Sequence, residues 1–264
     1  MNAFDDSQLS AELGTALEAA RAAADISRAY YAGNFTVTTK DDLTPVTQAD
    51  VECEQTIREI ILERFPEHGF YGEETGRTRD DAESLWLVDP IDGTKGFVRQ
   101  YPFFSTQIAL MRGGEIVLGV SSGTMMDELA WAEQGQGAWL NGKRLAVSDI
   151  ADIDRAAVST GNLKSLAQSD GWPQLGDIVS HADRIRGYGD FYHYHLLAAG
   201  KIEAIIESAV NILDIAALSI IVEEAGGIFT DLNGAAIGLE TRSVLAANPA
   251  LHATYLERLS GWVA

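Results

Sequence analysis

The feature that most constrains the fold is a short apolar segment that ends in two carboxylates and a tight turn. Residues 85–88 are Leu-Trp-Leu-Val, which is apolar enough for a buried strand, and residues 89–94 continue as Asp-Pro-Ile-Asp-Gly-Thr. Proline fixes its φ angle, so Pro90 sets the direction of the bend. We therefore predict a core strand whose end presents Asp89 and Asp92 on one sharp turn.

This turn has the composition of a site for metal ions and phosphate. Asp89 and Asp92 can bind or bridge divalent cations, as carboxylates do in two-metal phosphoryl-transfer sites, and the Ile91 carbonyl offers another oxygen. Gly93 and Thr94 are predicted to start a helix, whose N–H groups and dipole favour an anion. The turn thus indicates a phosphate held against Mg²⁺. An Asp-Gly turn in which Asp92 caps a helix explains the same residues, and the motif alone leaves both explanations open.

The charge of the chain excludes some classes of function. The 264 residues include 39 Asp and Glu and carry a net charge of −20, which argues against nucleic-acid binding through phosphate contacts. No apolar run approaches the roughly 20 residues that cross a bilayer, and the N-terminal residues lack the features of a signal peptide. The single cysteine, Cys53, is predicted to be a packing residue and suits a reducing cytosol. We expect a cytoplasmic protein with no nucleic-acid or membrane partner.

The pattern of apolar residues predicts two halves that meet near residue 150. In residues 1–149, two helices precede a series of strands, which is typical of an α+β arrangement. In residues 150–264, strands and helices alternate, which is typical of an α/β arrangement. There we expect a strand and turn over residues 177–189, followed by a helix that begins at Asp190.

Several boundaries in the first half follow from local signals. The first helix is predicted over residues 8–31, and Thr47 is predicted to cap the second. Val51 is among the apolar residues that we expect on the buried face of the second helix, and Pro66 ends it. Hairpin turns are predicted at Gly113-Gly114 and at Asn141-Gly142.

Three further acids stand where they would complete a metal site. Glu73 lies beside Glu74 in a glycine-bounded loop after a predicted strand. Asp214 opens a predicted helix, where a carboxylate also suits the helix dipole. Asp50 stands near the start of the second helix. Each of these positions has an ordinary structural explanation when it is taken singly.

Taken together, these segments resemble the inositol monophosphatase superfamily. The sequences VTQAD, GEE, DPIDGT and LDIAAL followed by EEAGG occur in the order and rough spacing of that family, over about residues 40–248. The resemblance implies a layered αβαβα sandwich of the inositol monophosphatase and fructose-bisphosphatase type. It places most metal ligands in residues 1–149, and the last ligand with the substrate-specificity residues in residues 150–264.

The resemblance also implies a role for each acid. It implies that the protein is a Mg²⁺-dependent phosphate monoester hydrolase that acts on a small molecule by attack of a metal-activated water. Thr94 and Asp50 would form a dyad that orients this water, and Glu73 would accept its proton. The N–H groups of Gly93 and Thr94 would hold phosphate oxygens. Such proteins are typically inhibited by lithium and are commonly homodimers. Up to three Mg²⁺ ions would be bound by Glu73, Asp89, the Ile91 carbonyl, Asp92 and Asp214.

The substrate is indicated by residues further along the chain. Inositol-type members usually have small residues after an Arg-x-x-Gly turn and an aromatic residue before the last metal aspartate, but this chain has Asp190 and Leu213 there. These departures resemble the histidinol-phosphate phosphatases of the superfamily, which yield histidinol in histidine biosynthesis. The resemblance implies that Asp190 and Glu207 pair with the substrate ammonium, and that Arg186 steadies the site near the phosphate. A helix N-cap for Asp190 and a surface acid for Glu207 are the structural alternatives.

Other functions stay open at this point. Inositol 1-phosphate, fructose 1,6-bisphosphate and 3′-phosphoadenosine 5′-phosphate are substrates of other members of the superfamily. A non-catalytic binding protein is disfavoured, because it has no need for a dyad of Thr94 and Asp50. A zinc site at His193 and His195 is disfavoured too, since side chains two apart on a helix do not face each other.

Overall fold

The computed structural model of the chain describes residues 9–33, 36–39, 45–79 and 81–261. Helix α1 (Ala11–Ala32) begins after Ser10, whose hydroxyl accepts the N–H of Leu13 at 3.0 Å. It confirms the first predicted helix, although the predicted start at residue 8 lies outside the described residues. Within the described residues, no helix is both long enough and apolar enough to span a membrane.

A short antiparallel hairpin leads into the second helix. The Thr47 hydroxyl accepts the N–H of Ala49 at 3.1 Å, and the Asp50 carboxylate accepts the N–H of Thr47 at 2.8 Å. This reciprocal capping box confirms Thr47 as the N-cap and fixes the start of the helix. The three elements are β1 (Val37–Thr39), β2 (Pro45–Thr47) and α2 (Gln48–Arg64).

Helix α2 ends before Pro66, as predicted, but its buried face differs at one residue. Val51 is 50% exposed, so its predicted core position is wrong. Two residues correspond to about 200° of rotation around a helix axis, which turns Val51 away from the face that begins at Ala49. The buried apolar side chains on that face are spaced by four, at Ala49, Cys53, Ile57 and Ile61.

Within the described residues, the first sheet has eight strands, which are β3 (Gly69–Gly72), β4 (Gly76–Thr78), β5 (Ser84–Asp92), β6 (Ser105–Arg112), β7 (Glu115–Gly123), β8 (Glu128–Glu133), β9 (Gly137–Leu140) and β10 (Lys143–Arg144). Their order is β10-β9-β8-β7-β6-β5-β3-β4, and neighbouring strands are antiparallel except β3 with β5. The predicted turns at residues 113–114 and 141–142 are confirmed, since each joins two paired strands.

Helices α1 and α2 cover one face of this sheet. Leu17 of α1 and Ile57 of α2 share a buried core with Trp86 of β5 and Ile108 of β6. Full burial of a large apolar side chain contributes about 1.5–3 kcal/mol. Strand β5 is therefore anchored in the core up to the point where its polar turn begins.

In the part of the chain that the structure describes, the second sheet has five strands, which are β11 (Ala157–Gly161), β12 (Arg184–Arg186), β13 (Ala204–Ser208), β14 (Ile228–Thr230) and β15 (Ser243–Ala247). Their order is β12-β11-β13-β15-β14, with β11 parallel to both of its neighbours. In the sequence, the strands of the first sheet all come before residue 150, and those of the second sheet all come after it.

Six further α-helices occur in the described residues, which are α3 (Thr94–Val98), α4 (Leu163–Gln168), α5 (Trp172–His181), α6 (Asp190–Ala198), α7 (Ile212–Glu224) and α8 (His252–Arg258). The prediction of a strand and turn over residues 177–189 is partly wrong, because residues 177–181 form the end of α5. Pro173 lies in the first turn of α5, where proline is tolerated, and Leu175 and Ile178 bury one side of the helix.

The two sheets and the helices form alternating layers. Helices α6 and α7 lie between the sheets, and Ile215 of α7 shares a buried core with Ala109 of the first sheet and Ile205 of the second. The next residue, Ile206, points to the opposite face and packs with Ile178 of α5 and helix α8. Helices α1 and α2 form the outer layer on the other side, so the predicted αβαβα sandwich is confirmed.

Candidate active site

Strand β5 ends in an irregular turn between two aspartates. The pairing of β5 with β6 shifts register between Asp89 and Asp92, so the two intervening residues leave the regular ladder. The N–H of Ile91 then donates to Oδ1 of Asp89 at 3.0 Å. Gly93 adopts a φ of 86°, and a Cβ at this position would lie 2.7 Å from the carbonyl oxygen of Phe103. The turn therefore requires glycine at position 93.

The structure brings three of the predicted metal ligands together. One carboxylate oxygen of each of Asp89, Asp92 and Asp214 lies within 4.8 Å of the other two. Asp214 is the third residue of α7, and its carboxylate accepts the backbone N–H of Asn211 at 3.0 Å and its side-chain amide at 2.6 Å. The start of α7 thus delivers a carboxylate from the second half of the chain to the turn after β5.

The electrostatics of this cluster favour a cation. Burial raises the pKa of Asp89 and of Asp92 well above the usual range, and repulsion from neighbouring acids raises both further. Burial also raises the pKa of Asp214 to about 7, against the opposing hydrogen bonds from Asn211. Among the described residues, none of the three carboxylates has a Lys, Arg or His partner within 4.0 Å. Oxygen donors of this kind fit a hard divalent cation such as Mg²⁺.

Glu73 lies in the loop after β3, near the same carboxylates. It is exposed, and its N–H donates to the carbonyl of Val88 in β5 at 3.2 Å. Its negative charge contributes to the raised pKa values of Asp89, Asp214 and Asp50, so its carboxylate is near all three. Glu73 does not belong to the tight group of three carboxylates, and it borders that group.

Thr94 and Asp50 lie next to each other, as the resemblance implied. The Thr94 hydroxyl is 3.3 Å from Oδ1 of Asp50 and 3.0 Å from the carbonyl oxygen of Ile91. Oδ2 of Asp50 accepts the hydroxyl of Thr47 at 2.6 Å, in addition to the N–H bond of the capping box. Burial raises the pKa of Asp50, and the bonds from Thr47 oppose this effect. The Asp50 carboxylate is therefore immobilised with one oxygen directed at Thr94.

Asp190 is another acid close to Asp92 of the cluster. It is the first residue of α6, it has a φ of 44°, and no side-chain hydrogen bond caps this helix. The helix-cap explanation for Asp190 is therefore wrong. Asp190 is exposed, but the surrounding protein displaces part of its water, and this effect and then repulsion from Glu207 raise the pKa of Asp190 to about 6. Its charge is the neighbouring charge that most raises the pKa of Asp92, so Asp190 lies near this member of the metal cluster.

Glu207 is a buried acid rather than a surface one, so the surface explanation for it is also wrong. It lies at the end of β13 with 5% of its surface exposed. Its Oε2 accepts the hydroxyl of Tyr194 at 2.7 Å and lies 3.2 Å from Nε2 of His193. Its charge also contributes to the raised pKa of Asp92. Glu207 and Asp190 thus extend the negative field beyond the three aspartates.

The residues predicted to contact phosphate lie at different distances along the chain from the cluster residues. Gly93 and Thr94 adjoin it at the start of α3, where the carbonyl of Gly93 accepts the N–H groups of residues 96 and 97. Arg186 is the exposed last residue of β12, and its guanidinium donates to the carbonyl of Ile185 at 2.7 Å. Within the described part of the chain, no hydrogen bond or ion pair joins Arg186 to Asp190 or to the cluster.

The sequence and the fold both match a known family. Residues 8–262 match the model of the inositol monophosphatase family. The chain belongs to the inositol monophosphatase family. It is therefore a phosphoric monoester hydrolase that acts on small phosphate monoesters, and the non-catalytic alternative is excluded.

Relatives within the family carry different names. A histidinol-phosphatase from Mycobacterium tuberculosis is 36% identical over 255 residues, which cover 94% of this chain and 98% of that protein. An inositol-1-monophosphatase from Caulobacter vibrioides is 36% identical over 223 residues, covering 81% and 86%. The crystal structure of extragenic suppressor protein suhB from Bartonella henselae superposes with a TM-score of 0.87 at 30% identity, covering 96% and 99%. These relatives belong to one family, but the names of the two phosphatases indicate different substrates.

Two residues that support the family site were not among the predicted ones. Ser105 of β6 donates its hydroxyl to Oδ2 of Asp92 at 3.2 Å. Asn211 caps α7 and holds Asp214 in a capping box. The sequence did contain a signal for Asn211, because Asn and Asp three apart before an apolar run are typical of a helix start. The position of Ser105 depends on strand pairing, which local spacing does not predict.

The two histidines of α6 point to different neighbours. His193 lies 3.2 Å from the hydroxyl of Ser159 through Nδ1 and approaches Glu207 through Nε2. His195 contacts Glu128 through Nδ1 at 2.7 Å and Ser121 through Nε2 at 2.9 Å. Both rings are buried, and each packs α6 against a different sheet.

Proposed function

We propose that this protein is a Mg²⁺-dependent histidinol-phosphatase, which converts L-histidinol phosphate and water into L-histidinol and phosphate. The observation that carries the proposal is the pair of acids beside the metal cluster, Asp190 and Glu207, whose charges both raise the pKa of Asp92. These acids add negative charge where the metal ligands already repel one another. A substrate with an ammonium group offsets that charge, whereas a neutral polyol does not.

The donors for Mg²⁺ are the clustered carboxylates together with neighbouring oxygens. Bound Mg²⁺ supplies positive charge against the phosphate and the leaving oxygen and lowers the pKa of a coordinated water. We propose up to three ions per site, as the resemblance implied. The ligands would be Glu73, Asp89, the Ile91 carbonyl, Asp92 and Asp214.

The dyad of Thr94 and Asp50 orients the attacking water. When the Thr94 hydroxyl donates its proton to Asp50, at 3.3 Å, its lone pairs are left as acceptors. A water that donates to Thr94 is then held in one orientation beside the cluster. Glu73 would accept the other proton of this water as the water oxygen attacks phosphorus. The N–H groups of Gly93 and Thr94 hold phosphate oxygens at the start of α3.

Substrate recognition is assigned to the acids of the second half of the chain. The Glu207 carboxylate is held by the hydroxyl of Tyr194, so it presents a fixed charge to the substrate ammonium. Asp190 approaches the same ammonium from the start of α6. Arg186 stays a prediction for the phosphate side. The Caulobacter inositol-1-monophosphatase, 36% identical over 81% of this chain, supports inositol 1-phosphate as the second candidate.

The proposal is tested by phosphate release over a panel of phosphate monoesters. The panel contains L-histidinol phosphate, inositol 1-phosphate, fructose 1,6-bisphosphate and 3′-phosphoadenosine 5′-phosphate, each with Mg²⁺ and with EDTA. We expect the highest kcat/KM for L-histidinol phosphate, no release in EDTA, and inhibition by millimolar lithium. A higher kcat/KM for any other substrate would contradict the choice of histidinol phosphate. Activity in EDTA would contradict the proposed dependence on Mg²⁺.

Gel filtration of the same preparation tests the predicted homodimer. The cytoplasmic location also stays a prediction.

A further inference from the structure

A buried glutamate on α2 holds the loop that follows Glu73. Glu54 has none of its surface exposed. Its Oε2 accepts the N–H of Glu74 at 2.7 Å, and its Oε1 accepts the N–H of Thr75 at 2.8 Å. The two amides belong to the residues that come directly after Glu73. Both carboxylate oxygens of Glu54 thus accept N–H groups from the backbone of one loop.

The same helix face also carries the water-orienting acid. Asp50 and Glu54 are four residues apart in α2, so they lie one turn apart on one side of the helix. Asp50 is directed at Thr94, and Glu54 is directed at the loop of Glu73. One helix therefore sets the position of the dyad relative to Glu73.

The space for Glu54 depends on a glycine at the end of β3. A Cβ at Gly72 would lie 2.4 Å from the carboxylate carbon of Glu54. The N–H of Glu73 itself donates to Val88 at 3.2 Å, on the side of β5. The backbone at Glu73 is therefore held from the sheet on one side and from α2 on the other.

We propose that Glu54 is a positioning residue that raises the affinity of the site for Mg²⁺ by fixing the loop of Glu73. This inference rests on the proposed role of Glu73 as a metal ligand. A carboxylate suits the task better than an amide, because two N–H donors need two acceptors. A glutamine offers one acceptor and opposes the second N–H with its own NH₂ group. Residues that support metal ligands in this way typically change metal affinity 10–100-fold.

The test compares Glu54→Gln with a matched variant, Glu203→Gln. Glu203 is also buried, and it accepts a backbone N–H from Ala157 at 2.6 Å and a hydroxyl from Ser148 at 2.8 Å, away from the metal cluster. Mg²⁺ binding is measured by isothermal titration calorimetry without substrate. We expect Glu54→Gln to raise the Mg²⁺ Kd about tenfold or more, and Glu203→Gln to leave it unchanged. The KM for substrate at saturating Mg²⁺ should stay at the wild-type value in both.

The outcomes separate this inference from the proposed function. Loss of stability in Glu54→Gln with a wild-type Mg²⁺ Kd would make Glu54 purely structural and overturn the inference. A Glu73→Gln variant with wild-type Mg²⁺ affinity would instead overturn the role of Glu73 as a ligand. If Glu73→Gln weakens Mg²⁺ and Glu54→Gln does not, only the positioning role fails.

A measurement on the wild-type protein covers the case in which Glu54→Gln does not fold. Hydrogen exchange at the amides of Glu74 and Thr75 should be slow both in EDTA and in Mg²⁺, because Glu54 holds these amides without the metal. Rapid exchange of both amides in EDTA would overturn the inference, since the loop would then be ordered by the metal and not by Glu54.

Discussion

The hydroxyl of Thr94 lies 3.3 Å from Oδ1 of Asp50, although the two residues are 44 positions apart in the chain. The other oxygen of Asp50 is bound by Thr47 in the capping box of α2. A group that starts one helix is therefore also a component of the candidate active site. The position of Thr94 at the start of α3 is tied through Asp50 to the core of the first half of the chain.

This relationship predicts a selective loss of turnover in Thr94→Val. Valine keeps the branched shape of threonine and removes the hydroxyl that orients the water. We expect kcat to fall by about 10²–10⁴-fold, the usual contribution of a group that directs proton transfer. The KM should change little, because the phosphate contacts of the backbone remain. Phosphate release at saturating Mg²⁺ measures both values.

The control for this variant is Thr94→Ser, which keeps the hydroxyl and should retain most of the turnover. A Thr94→Val enzyme with a kcat near that of the wild type would show that the hydroxyl has no part in the reaction. Mg²⁺ binding by calorimetry should be similar in both variants, since neither changes a carboxylate.

Asp92→Asn should lower the activity of the protein while raising the stability of its metal-free fold. The variant removes one charge from a cluster in which burial and neighbouring acids raise the pKa of Asp92. We expect phosphate release to fall by about 10²–10³-fold or more, because a group that supports transition-state charge is lost. The Tm of the metal-free protein at pH 8 should rise, since repulsion in the folded state is relieved. An active variant would contradict the cluster as a metal site, and a lowered Tm would contradict repulsion as the dominant effect of Asp92 on stability.

Local spacing predicted the parts of the fold and site that depend on near neighbours. The turn after β5, the capping role of Thr47 and the helix that carries Asp214 each follow from residues within a few positions of one another. Residues 177–181 were assigned to a strand because their short apolar pattern does not distinguish strand from helix, and Pro173 upstream is what favours a helix start. The burial of Glu207 depends on Tyr194 in another element, so no local pattern contains it.

The metal-free protein should lose stability as the pH rises. The pKa of Asp214 is about 7 in the folded protein, against an ordinary value of 3.8, and the pKa of Asp190 is about 6. Between about pH 4 and pH 7 the folded state therefore holds protons that the unfolded state has released, and the free energy of unfolding falls through this window. Above about pH 7, the contribution of Asp190 and Asp214 to the fall in the free energy of unfolding is complete. Thermal unfolding in EDTA from pH 5 to pH 8 measures it.

Mg²⁺ should reverse this loss, because it binds the ionised carboxylates. The rise in Tm on adding Mg²⁺ should be larger at pH 8 than at pH 5. In Asp92→Asn, the fall in stability with rising pH in EDTA and the rise in Tm on adding Mg²⁺ should both be smaller than in the wild type. Equal Mg²⁺ gains at the two pH values would contradict a site made of protonatable acids.

Asp190→Asn should weaken the binding of a cationic substrate more than that of a neutral one. Asparagine keeps the size of the side chain and tolerates the φ of 44° at this position, so the start of α6 is preserved. At pH 8, above the pKa of about 6, the wild-type carboxylate is ionised and attracts the ammonium of L-histidinol phosphate. We expect the KM for this substrate to rise about tenfold, equivalent to ~1.4 kcal/mol, while the KM for inositol 1-phosphate stays within about twofold. Asp183→Asn, which removes an exposed charge from the loop before β12, controls for net charge and should leave both KM values unchanged. If Asp190→Asn raises the two KM values alike, Asp190 acts on the phosphate or the metal ions, and the argument for histidinol phosphate loses its support from this residue.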